Sequence, residues 1–153
     1  MNISQLLSPT ATMMCDKISS KKKMLEKISE VMAESIDCSS KQIFESLLSR
    51  EKLGTTALGE GVAIPHGRVA RCEQATAVFI LLEAGIDYDA PDKKLVDVIF
   101  GIIVPENAHQ DHLRHLAKIA ELLSNNSVVS QIRHAHSSEA LYEIIESAAS
   151  RNH

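Results

Sequence analysis

Between Lys21 and Ile36 the apolar residues Met24, Leu25, Ile28, Val31, Met32 and Ile36 return every three or four positions, the period of a helix with one buried face. A second helix is predicted after Ser39. Ser39 and Gln42 have capping-box spacing, Ile43, Phe44, Leu47 and Leu48 form the apolar stripe, and Gly54 marks the stop. The pattern then changes: Ala75 to Leu82 and Leu95 to Val104 are nearly unbroken aliphatic and β-branched runs, which predicts two strands buried on both faces. Between them, Glu83 to Lys94 contains Gly85, Pro91 and four acidic residues and reads as a loop or irregular excursion. Shorter strands are expected at Thr12 to Ile18, Thr55 to Leu58 and Val62 to Ile64. Beyond Pro105, Asn107 and Gln110 are spaced to start a helix that carries His112, Leu116, Ile119 and Leu123 on one stripe, with His112 at its N-terminal end and turned inward. A short helix near Val128 to His134 follows. The last helix runs from Ser138 to about Ala149, with Leu141, Ile144, Ile145 and Ala148 inward.

Interleaved helices and strands predict an α/β fold, a sheet covered by helices. Because the two short strands around the glycine-rich turn are so close in sequence, part of that sheet should be antiparallel. At 153 residues one domain is expected, large enough to bury roughly 68–70% of the unfolded surface. No repeat or low-complexity tract interrupts it.

Composition narrows the function. A formal net charge of −4 argues against a broad nucleic-acid or anionic-membrane surface, and 3% aromatics with no Trp leaves few stacking platforms for single-stranded nucleic acid. The one dense basic patch, Lys21-Lys22-Lys23, reads as a solvated helix end. Three scattered cysteines, Cys15, Cys38 and Cys72, fit neither a disulfide framework nor a zinc ribbon; they read as small buried hydrophobes in a reducing, cytoplasmic setting. With no signal-peptide pattern and no run near the ~18 apolar residues of a membrane span, the chain as written is expected to be mature and not inserted in a membrane.

The chemistry concentrates in Gly59-Glu60-Gly61-Val62-Ala63-Ile64-Pro65-His66-Gly67-Arg68. Its glycines do not fit a dinucleotide fingerprint, since Ile64 stands at the third glycine position, and no G-K-[ST] follows as a phosphate loop requires. His66 is the residue of interest. Bracketed by proline and glycine, it is expected on a turn that leaves the imidazole open to a bulky partner. A neutral imidazole is a nucleophile near pH 7 and can accept a phosphoryl group, provided cationic or N–H donors match the transferred oxygens. Arg50 in the last turn of the second helix, Arg68 two residues past His66, and His112 near a helix N-terminus are the candidates. His109, His112 and His115 form H-x-x-H-x-x-H. Steps of three rotate around a helix and no cysteine or carboxylate completes a tetrahedral site, so a metal is the weaker reading. His134 and His136 are explained by helix-end capping.

The segment Ser49-Arg50-Glu51-Lys52-Leu53-Gly54-Thr55-Thr56-Ala57-Leu58-Gly59-Glu60-Gly61-Val62-Ala63-Ile64-Pro65-His66-Gly67-Arg68 closely resembles the active-site signature of the mannitol/fructose-type enzyme IIA family of the phosphoenolpyruvate-dependent phosphotransferase system, and within it the nitrogen-regulatory branch. The likeness extends over almost the whole chain. It implies one α/β domain over residues 3–149, a mixed sheet flanked by helices on both sides, and His66 transiently phosphorylated, at Nε2 by family habit. Arg50 and His112 would surround the phosphohistidine, with a direct role for Arg68 less defined. No cofactor or metal is implied. The implied partners are a histidine phosphocarrier protein, and regulatory targets such as potassium transporters or sensor kinases, bound according to phosphorylation state. A chain ending at His153 without an appended IIB or membrane segment leads us to expect a free-standing regulator. The alternatives are a fructose- or mannitol-transport IIA passing phosphate to a IIB domain, and a protein-binding module that is never phosphorylated.

Overall fold

A computed structural model of the chain describes residues 3–70, 72–107 and 110–151, with side chains throughout these except at residues 110–112. Among the described residues, six strands form one mixed sheet and five α-helices cover it. The strands are β1 (Thr12–Cys15), β2 (Ala57–Gly59), β3 (Val62–Ala63), β4 (His66–Val69), β5 (Thr76–Ile86) and β6 (Val96–Pro105). Helices α1 (Lys21–Ala33) and α2 (Ser40–Lys52) precede β2, and α3 (Gln110–Leu123), α4 (Asn126–Arg133) and α5 (Ser138–Arg151) follow β6. Two 3₁₀ turns, Ile3–Gln5 and Pro9–Ala11, open the chain.

The two long apolar runs are the central strands, β5 antiparallel to β6, buried at residues 77–82 and at all but Asp97 of β6. Their alternation divides the core. Phe79, Leu81, Val98, Phe100, Ile102 and Val104 face α3, α4, α5 and the 3₁₀ turns, and Phe79 and Phe100 meet across the strands at 5.7 Å. Val78, Ile80, Leu82, Ile99 and Ile103 face α1 and α2. The fold is therefore α/β with helices on both faces, as expected. Order across the sheet is β1-β5-β6-β3-β2, with β1 parallel to β5 and β2 antiparallel to β3.

On its other edge β6 is paired by two short parallel strands in succession. Val62 and Ala63 of β3 lie against Val98 and Ile99, and His66 to Val69 of β4 lie against Ile102 to Pro105. Ile64 and Pro65 interrupt them, yet Pro65 O still accepts a hydrogen bond from Ile102 N at 3.0 Å.

Three expectations are corrected. His66 is the first residue of β4, not part of an exposed turn; its pairing partner lies 36 residues further along the chain (66 to 102), beyond the reach of local pattern. The glycines serve a turn at Gly61 and close packing at Gly67 rather than exposure of the ring. Glu60 (φ 56°) and Gly61 (φ 81°) form the tight turn between β2 and β3, with two positive φ angles as a primed hairpin turn needs. Strand β5 also continues through the supposed loop to Ile86, where Gly85 lets Leu95 close over the backbone, so the excursion begins only at Asp87. Helix ends are nearer expectation: Ser20 and Ser39 cap α1 and α2 by accepting from Lys23 N and Gln42 N, and α2 stops at Lys52. Helix α1 ends at Ala33 rather than Ile36, and α3 starts at Gln110, past the expected cap at Asn107.

Candidate functional site

Two elements bring the candidate residues together. Helix α2 packs its Ile43–Leu47 stripe onto the sheet and projects Arg50 from its last turn; β4 carries His66 and Arg68 along the neighbouring edge. Close approach of the two depends on Gly67. A Cβ there would overlap Ser46 Oγ and lie 3.1 Å from the Ser46 backbone, and Ser46 Oγ donates to Arg68 O at 2.7 Å.

His66 is half-buried, and its Nδ1–H donates to Ile64 O at 2.8 Å. That bond selects the tautomer, leaving the lone pair on Nε2. Burial holds the ring below the ordinary imidazole range; the hydrogen bond to Ile64 opposes this, Arg50 adds to it, and Glu51 opposes it. The imidazole is therefore neutral near pH 7.

The ring opens on a cleft of about 540 Å³ lined also by Ser46, Ser49, Arg50, Arg68 and Leu116, and on a smaller cavity of about 210 Å³ that Arg50 also lines. Arg50 Nη1 donates to Gly54 O at 2.9 Å and Arg68 Nη1 to Glu106 O at 3.2 Å, which directs both guanidinium groups by fixing one donor each and leaves others for an anion. Leu53, 84% exposed, and Leu113, 46% exposed, form an apolar wall of the same cleft. A neutral nucleophile, two cations and an exposed leucine wall suit a protein-borne anionic group.

The sequence-predicted set thus converges for His66, Arg50 and Arg68. His112 lies in the first turn of α3, whose Leu113 and Leu116 line the cleft, but its side chain is outside the described residues, as is all of His109, so the histidine-triplet reading rests on His115 alone. His134 caps α4, with Nδ1–H donating to Ser130 O at 2.7 Å. Cys15, Cys38 and Cys72 are free thiols, and burial pushes Cys15 and Cys72 up. Sequence reasoning missed Glu51. Its signal was present: Ile43, Leu47 and Glu51 share the buried stripe at steps of four, an acid where an apolar residue belongs and at the helix end that disfavours negative charge. Lys21, read as solvated, is instead paired with that acid at 3.1 Å.

Comparison with known proteins agrees with this architecture. Residues 5–148 match the family described as phosphoenolpyruvate-dependent sugar phosphotransferase system, EIIA 2. A nitrogen regulatory protein of Bradyrhizobium diazoefficiens is 39% identical, with 95% of each chain covered. The crystal structure of the nitrogen regulatory protein IIA-Ntr from Neisseria meningitidis superimposes with a TM-score of 0.87 at 39% identity, covering 94% of this chain and 98% of that one. The mannitol IIA of Escherichia coli shares the fold at a TM-score of 0.68, with 22% identity over 83% of this chain and 89% of its own. No helix among the described residues is long and apolar enough to cross a membrane. With a family match over residues 5–148 and a common fold, this chain belongs to the EIIA type 2 family of the phosphotransferase system, a phosphoryl-carrier family, and is similar there to nitrogen regulatory proteins.

Proposed function

We propose that this protein is a cytoplasmic phosphoryl carrier that regulates nitrogen metabolism by its phosphorylation state, taking the phosphoryl group on His66 Nε2 from a histidine phosphocarrier protein. The observation that carries this is the imidazole itself: half-buried, held as the Nδ1–H tautomer by Ile64 O at 2.8 Å, and bordering a cleft with Arg50 and Arg68. In the transfer, the Nε2 lone pair of His66 attacks phosphorus in line as the phosphorus–nitrogen bond of the donor's phosphohistidine breaks. The leaving ring keeps the bonding pair and departs neutral, provided its other nitrogen carries a proton. Arg50 and Arg68 face the charge spread over the three equatorial oxygens, and the Ile64 carbonyl steadies the positive charge that His66 gains. His112, by its position in the first turn of α3, is proposed as a further group at the phosphoryl. Exposed Leu53 and Leu113 give the donor protein an apolar contact around the reacting centre.

The test is incubation with enzyme I, a histidine phosphocarrier and phosphoenolpyruvate. An acid-labile phosphate should appear on wild-type protein and be absent from His66→Ala. Unlabelled wild type would overturn the reading, and onward transfer to a IIB domain as fast as uptake would replace it with sugar transport.

A further inference from the structure

Glu51 is buried, 7% exposed, and its carboxylate is bonded to Thr56, Tyr88 and Lys21. A carboxylate taken out of water is costly unless its lone pairs are filled, and here four donors fill them. Oε1 accepts from Thr56 N and faces Lys21 Nζ, both at 3.1 Å; Oε2 accepts from Thr56 Oγ1 and, at 3.1 Å, from Tyr88 Oη. Lys21 is itself steered by the Tyr88 ring at 4.6 Å and by Asp89 at 3.7 Å. Tyr88 is wholly buried, and that burial keeps its hydroxyl a donor by raising its pKa.

Two hydrogen-bonded routes from this residue reach the site, one from its carboxylate and one from its main-chain carbonyl. Along the first, Thr56 O accepts from Ile64 N at 3.1 Å, and Ile64 O accepts from His66 Nδ1 at 2.8 Å. The second is shorter. Gly54 N donates to the Glu51 backbone carbonyl at 3.0 Å, and Gly54 O receives Arg50 Nη1 at 2.9 Å, so the turn that Thr56 pins also holds the guanidinium. The nucleophile and its main cation stand on different elements, β4 and α2, and the segment from Gly54 to Thr56 joins their supports. Resting on the phosphoryl-carrier reading above, we propose that Glu51 is the positioning residue of this site, fixing the His66 ring through Thr56 and Ile64 and Arg50 through the Gly54 turn. A carboxylate serving only as a rivet between α1, α2 and Tyr88 would have no reason to influence which imidazole nitrogen carries the proton.

Glu51→Gln keeps the shape but turns an amide NH2 toward two of the four donors, whichever oxygen it replaces; Thr56→Val removes the hydroxyl link and keeps the backbone N–H and C=O. The imidazole nitrogens are read by ¹⁵N NMR on unphosphorylated, histidine-labelled protein, and phosphoryl uptake from the phosphocarrier is timed on the same samples. Wild type should show His66 as a single Nδ1–H tautomer. In both variants the Nε2–H tautomer should become populated, and the maximal uptake rate should fall about 10- to 100-fold with little change in the half-saturating carrier concentration, the effect of misplacing reacting groups by fractions of an ångström. If Glu51→Gln does not fold, Thr56→Val decides on the same readouts. A folded variant with an unchanged tautomer and a rate within about twofold of wild type overturns the proposal, as does a rate that falls only with the folded fraction. Because the spectrum needs no phosphoryl donor, a wild type that takes up no phosphoryl group removes the function proposed above while the tautomer still judges the relay.

Discussion

Replacing Gly67 by alanine tests how closely α2 and β4 must approach. Gly67 sits in strand geometry, so alanine meets no backbone strain and gains about 0.4–1 kcal/mol from a less flexible unfolded chain. Against this, the new Cβ overlaps Ser46 Oγ and lies 3.1 Å from the Ser46 backbone carbon and oxygen, so the α2 backbone must yield by a few tenths of an ångström and the Ser46 hydroxyl must swing away. Overpacking of this kind costs about 1–3 kcal/mol. The swing also breaks the 2.7 Å bond to Arg68 O, worth about 1 kcal/mol. The loss wins, by about 1–3.5 kcal/mol, or roughly 2–14 °C in Tm for a chain of this size. A double-mutant cycle isolates the cause. Ser46→Ala alone loses the hydrogen bond; added to Gly67→Ala it also removes the overlapping oxygen, so the double variant should be more stable than Gly67→Ala and depart from additivity by about 1 kcal/mol or more. Chemical denaturation of the four proteins measures this. Additive effects, or a Gly67→Ala protein within 0.5 kcal/mol of wild type, would refute the claim that contact between these two elements is set at Gly67.

Arg50→Ala should slow phosphoryl uptake about 100-fold while costing only about 1 kcal/mol of stability, since among the described residues half-buried Arg50 gives its side-chain hydrogen bond to Gly54 O; matched rate and denaturation curves check it. The same variant should raise the pKa of His66, because Arg50 helps hold it down, and NMR titration reads the shift. For pH, the sign follows from a depressed folded pKa: the neutral ring contributes stability above the unfolded value of about 6.5, and this is lost as pH falls through that value toward the folded one. Wild type should therefore lose more stability than His66→Gln between pH 7 and pH 5, and its phosphoryl uptake at about pH 6.5 should keep more than half of its rate at about pH 7.5; a fall to half or less would contradict this. Gly61→Ala should cost about 1–3 kcal/mol through its positive φ and its overlap with Arg133 Nη2, which bonds both Asp97 of β6 and Glu60 O of the hairpin turn. Arg133→Met, measured by the same denaturation, should remove part of that penalty.

Helix and strand identities were legible because they are local. The three- and four-residue spacing from Met24 to Met32 and the unbroken runs that became β5 and β6 state which faces must be buried, and burying them needs helices on both sides of a sheet. The motif around His66 likewise told which imidazole to watch and which arginines to look for near it. What the linear pattern could not hold was anything decided by a partner distant in sequence. That His66 begins a strand depends on Ile102; that Gly67 must be glycine depends on Ser46 of another element. Lys21 read as part of a solvated helix end and Glu51 was passed over; they became a pair, with the acid buried, only once α1, α2 and Tyr88 closed around them. Periodicity along a chain reports how each residue relates to its own element, whereas the tautomer of an imidazole and the fate of a buried carboxylate are set by groups that only folding brings within hydrogen-bonding distance.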